Sequence, residues 1–239
     1  MLHRTVVHRV VRTKGIAFRG FLTTLARLRG SDSVEATIAE LPPEVARAIR
    51  LGEVVATGWY PVAWYRELHA AMNRACRETG FELSRRIGLE STIADFRGMY
   101  RLLLRVVSSE TLVAQAPRLV GMFFDGGEVA MVETGTGFGV IEFTGWHGFD
   151  RAVWADMTGA VEGVLVARRA FDIRSRVIRG GGTDGTLRLE CRWSMTQPLA
   201  NMIKISTRPP PPRESGIAKE GDAEASSRPA ANDSGRFRR

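Results

Sequence analysis

Three glycines spaced like those of a nucleotide-binding loop are the first residues that suggest chemistry. Gly135, Gly137 and Gly139 lie in the stretch ETGTGFGVIEF. A dinucleotide fingerprint needs a helix after its glycines, because the helix N-terminus holds the pyrophosphate. Here VIEFT follows, which is typical of a strand, and the third glycine falls one position early. A phosphate-binding loop also needs a lysine, and none lies between Lys14 and Lys204. We therefore predict turn and strand glycines and no nucleotide site.

The histidines and cysteines form no pattern typical of a metal site. None of the four histidines has a Cys, His or acidic neighbour at a spacing used for zinc. His69 lies within a predicted helix, where we expect a half-exposed structural residue. His147, between a strand and a helix, faces either a cavity or the backbone of a turn. Cys76 and Cys191 lie on apolar faces, which favours small core residues over reactive thiols.

The acidic residues do not complete a catalytic set either. Asp150, Asp156 and Glu162 flank or lie on one predicted helix, but their spacing does not gather them on one face. The sequence also contains no Gly-x-Ser-x-Gly nucleophile elbow. With no nucleophile–base pair and no metal cluster, the enzyme question stays open and leans towards a non-enzymatic protein. We predict no cofactor.

The aromatic residues are more suggestive than the titratable ones. Eight of them lie near the predicted contacts between helices and strands: Trp59, Trp64, Tyr100, Phe123, Phe124, Trp146, Trp154 and Trp193. They form either an ordinary core or, in part, the lining of an apolar pocket. The residues that we predict to bind a ligand are Tyr100, Phe123, Trp146, His147 and Trp154.

The net charge of +8 is concentrated at the ends of the chain. Residues 1–30 carry +7, residues 31–206 carry −1 and residues 207–239 carry +2. The neutral body predicts no sequence-specific nucleic-acid binding. The basic N-terminal arm reflects either a coding bias towards Arg, which outnumbers Lys 31 to 3, or contact with a phosphate-rich surface.

Hydropathy and cysteine usage indicate a cytoplasmic protein. The longest apolar run is about six residues, whereas a transmembrane helix needs about 20, so we predict no transmembrane segment. The N-terminal TVVHRVV is too short and too charged for a signal-peptide core. Two cysteines are too few for a disulfide framework.

The first half of the body has helical periodicity. Its most specific segment is ATGWYPVAWYRELHAAMNRAC, where Pro61 suits the first position of a helix. Trp59 and Trp64 then occupy the two positions of a hydrophobic staple. We therefore interpret GWYP as a structural joint.

The second half reads as strands and one long helix. EVAMVET and FGVIEFT predict a hairpin, FDRAVWADMTGAVEGVLVARR predicts a helix, and FDIRSRVIR and TLRLECRW predict a second hairpin. The predicted fold class is α+β: a helical layer packed on a twisted four-stranded antiparallel sheet made of two hairpins. We expect a basic arm at 1–12, one ligand-binding-like domain at 13–206, and a disordered Pro/Arg-rich tail at 207–239.

TKGIAFRGFL, LPPEV, TGWYPVAWYRELHAAM and GTLRLECRW, in this order, resemble an uncharacterised family with many paralogous copies in myxobacteria. The resemblance covers roughly residues 13–194 and implies a bacterial source. That family resembles a superfamily of haem-nitric-oxide-binding sensors, 4-vinyl-reductase-type ligand-binding domains and vesicle-tethering subunits that hold an acyl chain. The resemblance implies a hydrophobic cavity between helices and sheet.

The same resemblance bears on haem. The haem sensors use an axial histidine and a Tyr-x-Ser-x-Arg motif, whereas this chain reads FTGWHGF in the corresponding hairpin region and its central helix has no histidine. The cysteine cluster of some 4-vinyl-reductase-type domains is also missing.

Three functions follow from these observations. The first is a non-enzymatic binding or sensory protein that holds an apolar or amphipathic small molecule and signals to a protein partner or a second copy of the chain. The second is an enzyme acting on a hydrophobic small molecule, with a polar group such as His147 at the cavity. The third is a structural protein–protein interaction module with a dry core.

Overall fold

The structure, a computed structural model, describes residues 10–98 and 115–195. All of these residues belong to the first of two units into which the chain divides, Met1–Gln197 and Pro198–Arg239. Tyr100, most of the basic arm and the predicted tail lie outside the described residues. The predicted boundaries at 12 and 206 therefore stay predictions.

The N-terminal half is helical, as its periodicity predicts. Its helices are α1 (Gly15–Arg29), α2 (Ser31–Ala39), α3 (Pro43–Arg50), α4 (Val62–Ala75) and α5 (Glu82–Arg97). Helix α1 buries Phe18, Phe21 and Leu25 at the spacing of one helical face. In the part of the chain that is described, no helix has the length and hydropathy of a membrane span.

The C-terminal half contains the predicted sheet. Its elements are α6 (Ala116–Val120), β4 (Glu128–Gly135), β5 (Phe138–Thr144), α7 (Arg151–Ala167), β6 (Phe171–Gly180) and β7 (Leu187–Ser194). The strand order is β4–β5–β7–β6, and every pairing is antiparallel. The two hairpins meet through β5 and β7, so the predicted α+β architecture is confirmed.

Strand β7 shows why one face of this sheet meets the helices. Leu187, Leu189, Cys191 and Trp193 are buried, whereas the residues between them are partly or fully exposed. This alternation matches the sequence pattern, because successive side chains of a strand point to opposite faces. Burial raises the pKa of the Cys191 thiol to about 11, which makes it an unreactive core residue.

A second, smaller sheet was not apparent from the sequence. It contains β1 (Arg12–Lys14), β2 (Trp59–Pro61) and β3 (Phe124–Asp125), in the order β2–β1–β3. Strands of two or three residues are too short to show an alternating pattern. This sheet ties the start of α1 to the start of α4 and to the residues that follow α6.

The GWYP segment connects the small sheet to α4, but the ring that stacks on Trp64 is not the predicted one. The ring that stacks on Trp64 belongs to Tyr60, with centroids 5.8 Å apart and planes at 20°. Trp59 is only half-buried, and its ring lies beneath the cations of Arg12 and Lys14 at 5.9 and 5.5 Å. Pro61 ends β2 and immediately precedes α4 rather than starting the helix.

The Tyr60 hydroxyl holds the loop before β2. It accepts a hydrogen bond from the Val55 N–H and donates one to the Glu53 carbonyl, both at 2.8 Å. This loop in turn caps α1, because the Gly58 carbonyl accepts from the Gly15 N–H at 2.9 Å. One phenol therefore supports the N-terminus of the helix that contributes Phe18 to the core.

We expect Tyr60→Phe to lower the free energy of unfolding by about 1–2 kcal/mol, because it removes two hydrogen bonds worth roughly 0.5–1.5 kcal/mol each. Urea denaturation beside the parent measures this. Trp59→Ala should cost less than the ~3–5 kcal/mol of a buried aromatic, because its ring is half-exposed. A Tyr60→Phe variant as stable as the parent would show that the loop does not depend on the phenol.

Candidate functional site

A partly enclosed cavity of about 100 Å³ lies among α1, α4, α5, α6 and α7 and reaches the sheet at Ile141 of β5. We call it the helical cavity. Most of its wall is apolar: Ile16, Ala17, Phe96, Ala116, Leu119, Val120, Phe123, Phe124, Ile141, Met157, Ala160, Val161 and Val164. An apolar cavity with a few polar groups is the usual form of a small-molecule site.

The polar part of the described wall is small and lies on three helices. It consists of Tyr65 from α4, Ser91, Thr92 and Asp95 from α5, and Asp156 from α7. Asp156 is 6% exposed. A carboxyl so deeply buried requires a partner or a shifted pKa, so its environment decides what the cavity can bind.

Asp156 belongs to a buried chain of polar side chains that links α7, α4 and α5. The Tyr65 hydroxyl donates to Asp156 Oδ2 at 3.2 Å. His69 Nδ1 is 3.0 Å from Ser84 Oγ, and its Nε2 is 3.9 Å from Asp156 Oδ1. This last distance is too long for a hydrogen bond. Both His69 Nε2 and Asp156 Oδ1 are buried without a hydrogen-bond partner.

Burial shifts the pKa values of this chain in opposite directions. It raises the pKa of Asp156 to about 7, against a smaller lowering by the Tyr65 hydrogen bond. It lowers the pKa of His69 to about 3, so the imidazole is neutral and the 3.9 Å approach is not an ion pair at neutral pH. The expectation that His69 is half-exposed is wrong, because its side chain is fully buried.

Close contact between α5 and α7 places Asp156 at the cavity. A Cβ at Gly88 would lie 2.0 Å from the Asp156 carbonyl oxygen, and a Cβ at Gly159 would lie 1.8 Å from that of Arg85. Only glycine permits such an approach. The Arg85 guanidinium pairs with Glu162 through two hydrogen bonds of 2.8 and 3.0 Å. The N-terminus of α7 is fixed by Asp150, whose Oδ1 accepts from the N–H groups of the second and third helical residues.

The three acidic residues that the sequence singled out therefore act separately. Asp150 caps α7, Asp156 lines the cavity, and Glu162 pairs with Arg85. The part of the chain that is described holds no group of three or more His, Cys, Asp or Glu placed to bind a metal ion.

The structure separates the residues predicted to bind a ligand. Phe123 lines the helical cavity. Trp146 lines a neighbouring, more open groove of about 390 Å³ and donates from Nε1 to the Glu128 carbonyl. Trp154 donates from Nε1 to the Gly182 carbonyl, and His147 is half-buried beside the turn between β6 and β7. Tyr100 lies outside the described residues.

Comparison with solved structures places the chain among H-NOX folds. It is similar to an Fe(II) unliganded H-NOX protein from K. algicida, with a TM-score of 0.56, 15% identity, and coverage of 77% of this chain and 97% of that one. It is also similar to an oxygen-binding H-NOX domain related to soluble guanylate cyclases, with a TM-score of 0.55, 14% identity, and coverage of 76% and 95%. At this identity the likeness is one of fold alone. No known protein family and no curated protein sequence matches the chain significantly.

The residues of the helical cavity do not fit a haem. An engineered apolar cavity of about 150 Å³ holds benzene, and a porphyrin is several times larger than benzene. Neither histidine nor cysteine lies in the described wall. Tyr65 and Met157 are of types that ligate haem iron, but methionine does so beside a histidine. Burial raises the pKa of Tyr65 well above its usual value, so the phenol stays protonated and bound to Asp156.

We therefore expect the purified protein to be colourless and to develop no stoichiometric Soret band when haem is added. An absorbance titration of the full chain with hemin, beside a non-haem protein as background control, measures this. A Soret band that saturates at one equivalent would contradict the expectation and would require the cavity to open around the porphyrin.

Proposed function

We propose that this chain is a non-enzymatic small-molecule-binding protein with a sensory or regulatory role, and that the helical cavity is its binding site. The observation that carries the proposal is the cavity itself, in which an apolar wall surrounds a buried carboxyl with an unpartnered oxygen. Its volume suits a ligand of a few heavy atoms rather than a long acyl chain. Membership of the myxobacterial family remains part of this proposal.

A sensory role is consistent with where the cavity lies. Five helices and the sheet contribute to its wall, and α5 and α7 meet through glycines that leave no free space between their backbones. A ligand that changes the spacing of these helices must move backbone rather than flexible side chains. Such a rigid contact can pass a change at the cavity to a protein partner or a second copy of the chain.

Of the predicted ligand-binding residues, Phe123 is the one that lines the proposed binding site. For Trp146, His147, Trp154 and Tyr100, ligand contact stays a prediction, and Trp146 is the one beside the neighbouring groove. Val120 and Phe124 line both the helical cavity and that groove. A ligand larger than the cavity would therefore extend past them towards Trp146.

The enzyme alternative is favoured by one observation. Asp156 has a pKa near neutrality, as a general acid or base requires, and it lines a cavity. Within the described wall, however, the hydroxyl that bonds to Asp156 belongs to Tyr65, whose raised pKa keeps it protonated. The neutral His69 does not come within hydrogen-bond distance of Asp156. Binding without turnover is therefore the better supported function.

Native mass spectrometry of the purified full chain tests the proposal. We expect a small non-covalent mass excess on the parent and its loss from Ala160→Phe, which fills the cavity with an aromatic ring. Ala94→Phe is the matched control, since Ala94 is exposed on α5 and should leave the excess unchanged. An excess of equal mass on Ala160→Phe would show that the ligand lies elsewhere.

A further inference from the structure

In the part of the helical cavity's wall that the structure describes, the charged residues are all acidic. Asp95 and Asp156 line the cavity, and no Lys, Arg or His does so within the described wall. Burial raises the pKa of both carboxyls, which is the response of acids that lack a compensating cation. Elsewhere in the described structure, carboxylates commonly have an arginine partner, as Glu162 has Arg85.

Among the described residues, Asp156 has only part of the hydrogen bonding that a buried carboxylate needs. Its Oδ2 accepts one long hydrogen bond from Tyr65, and its Oδ1 accepts none. His69 also lies beside it, but its Nε2 is 3.9 Å from Asp156 Oδ1 and the imidazole is neutral. A buried carboxylate without a second donor is costly. A ligand that brings both a positive charge and N–H donors would offset this cost.

We propose that the helical cavity selects a small organic ammonium ion, which places its ammonium group against Asp156 and its aliphatic body among the apolar side chains of α7 and α1. Asp95 supplies a second negative charge at the wall. The inference rests on the proposed binding function and specifies its ligand class. The volume of about 100 Å³ limits the ligand to an amine of a few carbon atoms.

The same wall disfavours anions. A carboxylate ligand would place a second negative charge in a low-dielectric site against Asp156, where like charges repel strongly. It would also find no cation in the described wall. Neutral alcohols can donate one hydrogen bond to Asp156 Oδ1. Their affinity should therefore lie between that of ammonium ligands and that of carboxylate ligands.

Three probes of nearly the same shape test this inference: isobutylamine, isobutanol and isobutyrate. Isothermal titration of the full chain at pH 8, where Asp156 is ionised and isobutylamine protonated, should give an amine affinity at least about tenfold above that of the alcohol, or ~1.4 kcal/mol. Isobutyrate should bind weakest. Asp156→Asn should lower the amine affinity by at least about tenfold, to that of the alcohol or below it, because the ammonium ion loses its counter-charge.

Asp172→Asn is the control, because Asp172 is an exposed carboxyl on β6 that does not line the cavity. If Asp156→Asn does not fold, Asp95→Asn carries the same test with a smaller expected loss, about threefold. An alcohol that binds as tightly as the amine, or an isobutyrate that binds more tightly, would overturn the ammonium inference and leave the binding function standing. Failure of all three probes to bind the parent would overturn both.

Discussion

We expect Gly159→Ala to lower the melting temperature by roughly 6–12 °C. The new methyl group would lie 1.8 Å from the Arg85 carbonyl oxygen and 2.9 Å from the Leu89 nitrogen, so two helix backbones would have to separate. Overpacking typically costs about 1–3 kcal/mol, and rigid backbone atoms place this site near 3 kcal/mol. Each kcal/mol corresponds to roughly 2–4 °C for a domain of this size.

Gly20→Ala in α1 is the matched control for this prediction. Its added Cβ would meet Ser91 at 3.6 Å, which is ordinary contact. Alanine in a helix interior is favoured over glycine by about 0.5–1 kcal/mol, so this variant should be at least as stable as the parent. Differential scanning calorimetry of both variants measures the contrast. If Gly159→Ala had the same melting temperature as the parent, the close backbone contact between α5 and α7 would be contradicted.

The second large effect concerns pH. We expect Asp156→Asn to be more stable than the parent at pH 8, by up to about 4 kcal/mol, and equally stable near pH 3. The upper figure follows from a pKa raised from 3.8 to about 7 and from roughly 1.4 kcal/mol per pKa unit. Asparagine keeps the acceptor for Tyr65 and removes the buried charge.

The direction of this pH dependence follows from the linkage between ionisation and folding. Because the pKa of Asp156 is higher in the folded chain, its favourable contribution is complete below the unfolded value of 3.8. That contribution is lost as the pH rises through the folded value of about 7. His69 acts in the opposite sense, because its lowered pKa costs stability as the pH falls from 6.5 towards about 3. Because the variant and the parent both carry His69, its contribution largely cancels in the difference between their free energies of unfolding.

Urea denaturation of both proteins at intervals between pH 3 and pH 9 gives this difference directly. The stability gap should open between about pH 4 and pH 7 and stay constant above that range. A gap that does not change with pH would show that Asp156 has an ordinary pKa, and the cavity would then be wetter than its apolar wall implies. The result bears on the ammonium inference as well, since that inference needs a desolvated carboxyl.

The sheet was predictable because its physical signals are local. Glycine turns separate the strands, and the alternation from Leu187 to Trp193 sets which side of β7 meets the helices. The small sheet was not predictable, because β1 pairs Arg12 with Pro61 and with Asp125, residues far apart in sequence. The ring that stacks on Trp64 was missed for a similar reason: only the loop bound by the Tyr60 hydroxyl decides which aromatic turns inwards.

The candidate site was less predictable than the fold. In α7, Asp156 lies three residues after Val153 and four before Ala160, so the three residues share one side of the helix. This spacing could have indicated a carboxyl within an apolar stripe. Its partner Tyr65 is 91 positions away, and nothing in the spacing connects them. The helix contact at Gly88 and Gly159 also depends on tertiary packing, although glycines inside helices are costly enough to suggest a packing role.

The central claim is that the helical cavity takes up a small molecule, and a ¹H–¹⁵N NMR titration with isobutanol tests it most directly. The full-length parent and Ala94→Phe should show saturable shifts confined to residues of the cavity wall, such as Ile141 and Val161, with the same dissociation constant. Ala160→Phe should show no saturable shift at those residues. Equal binding to all three proteins, or no binding to the parent, would contradict the account.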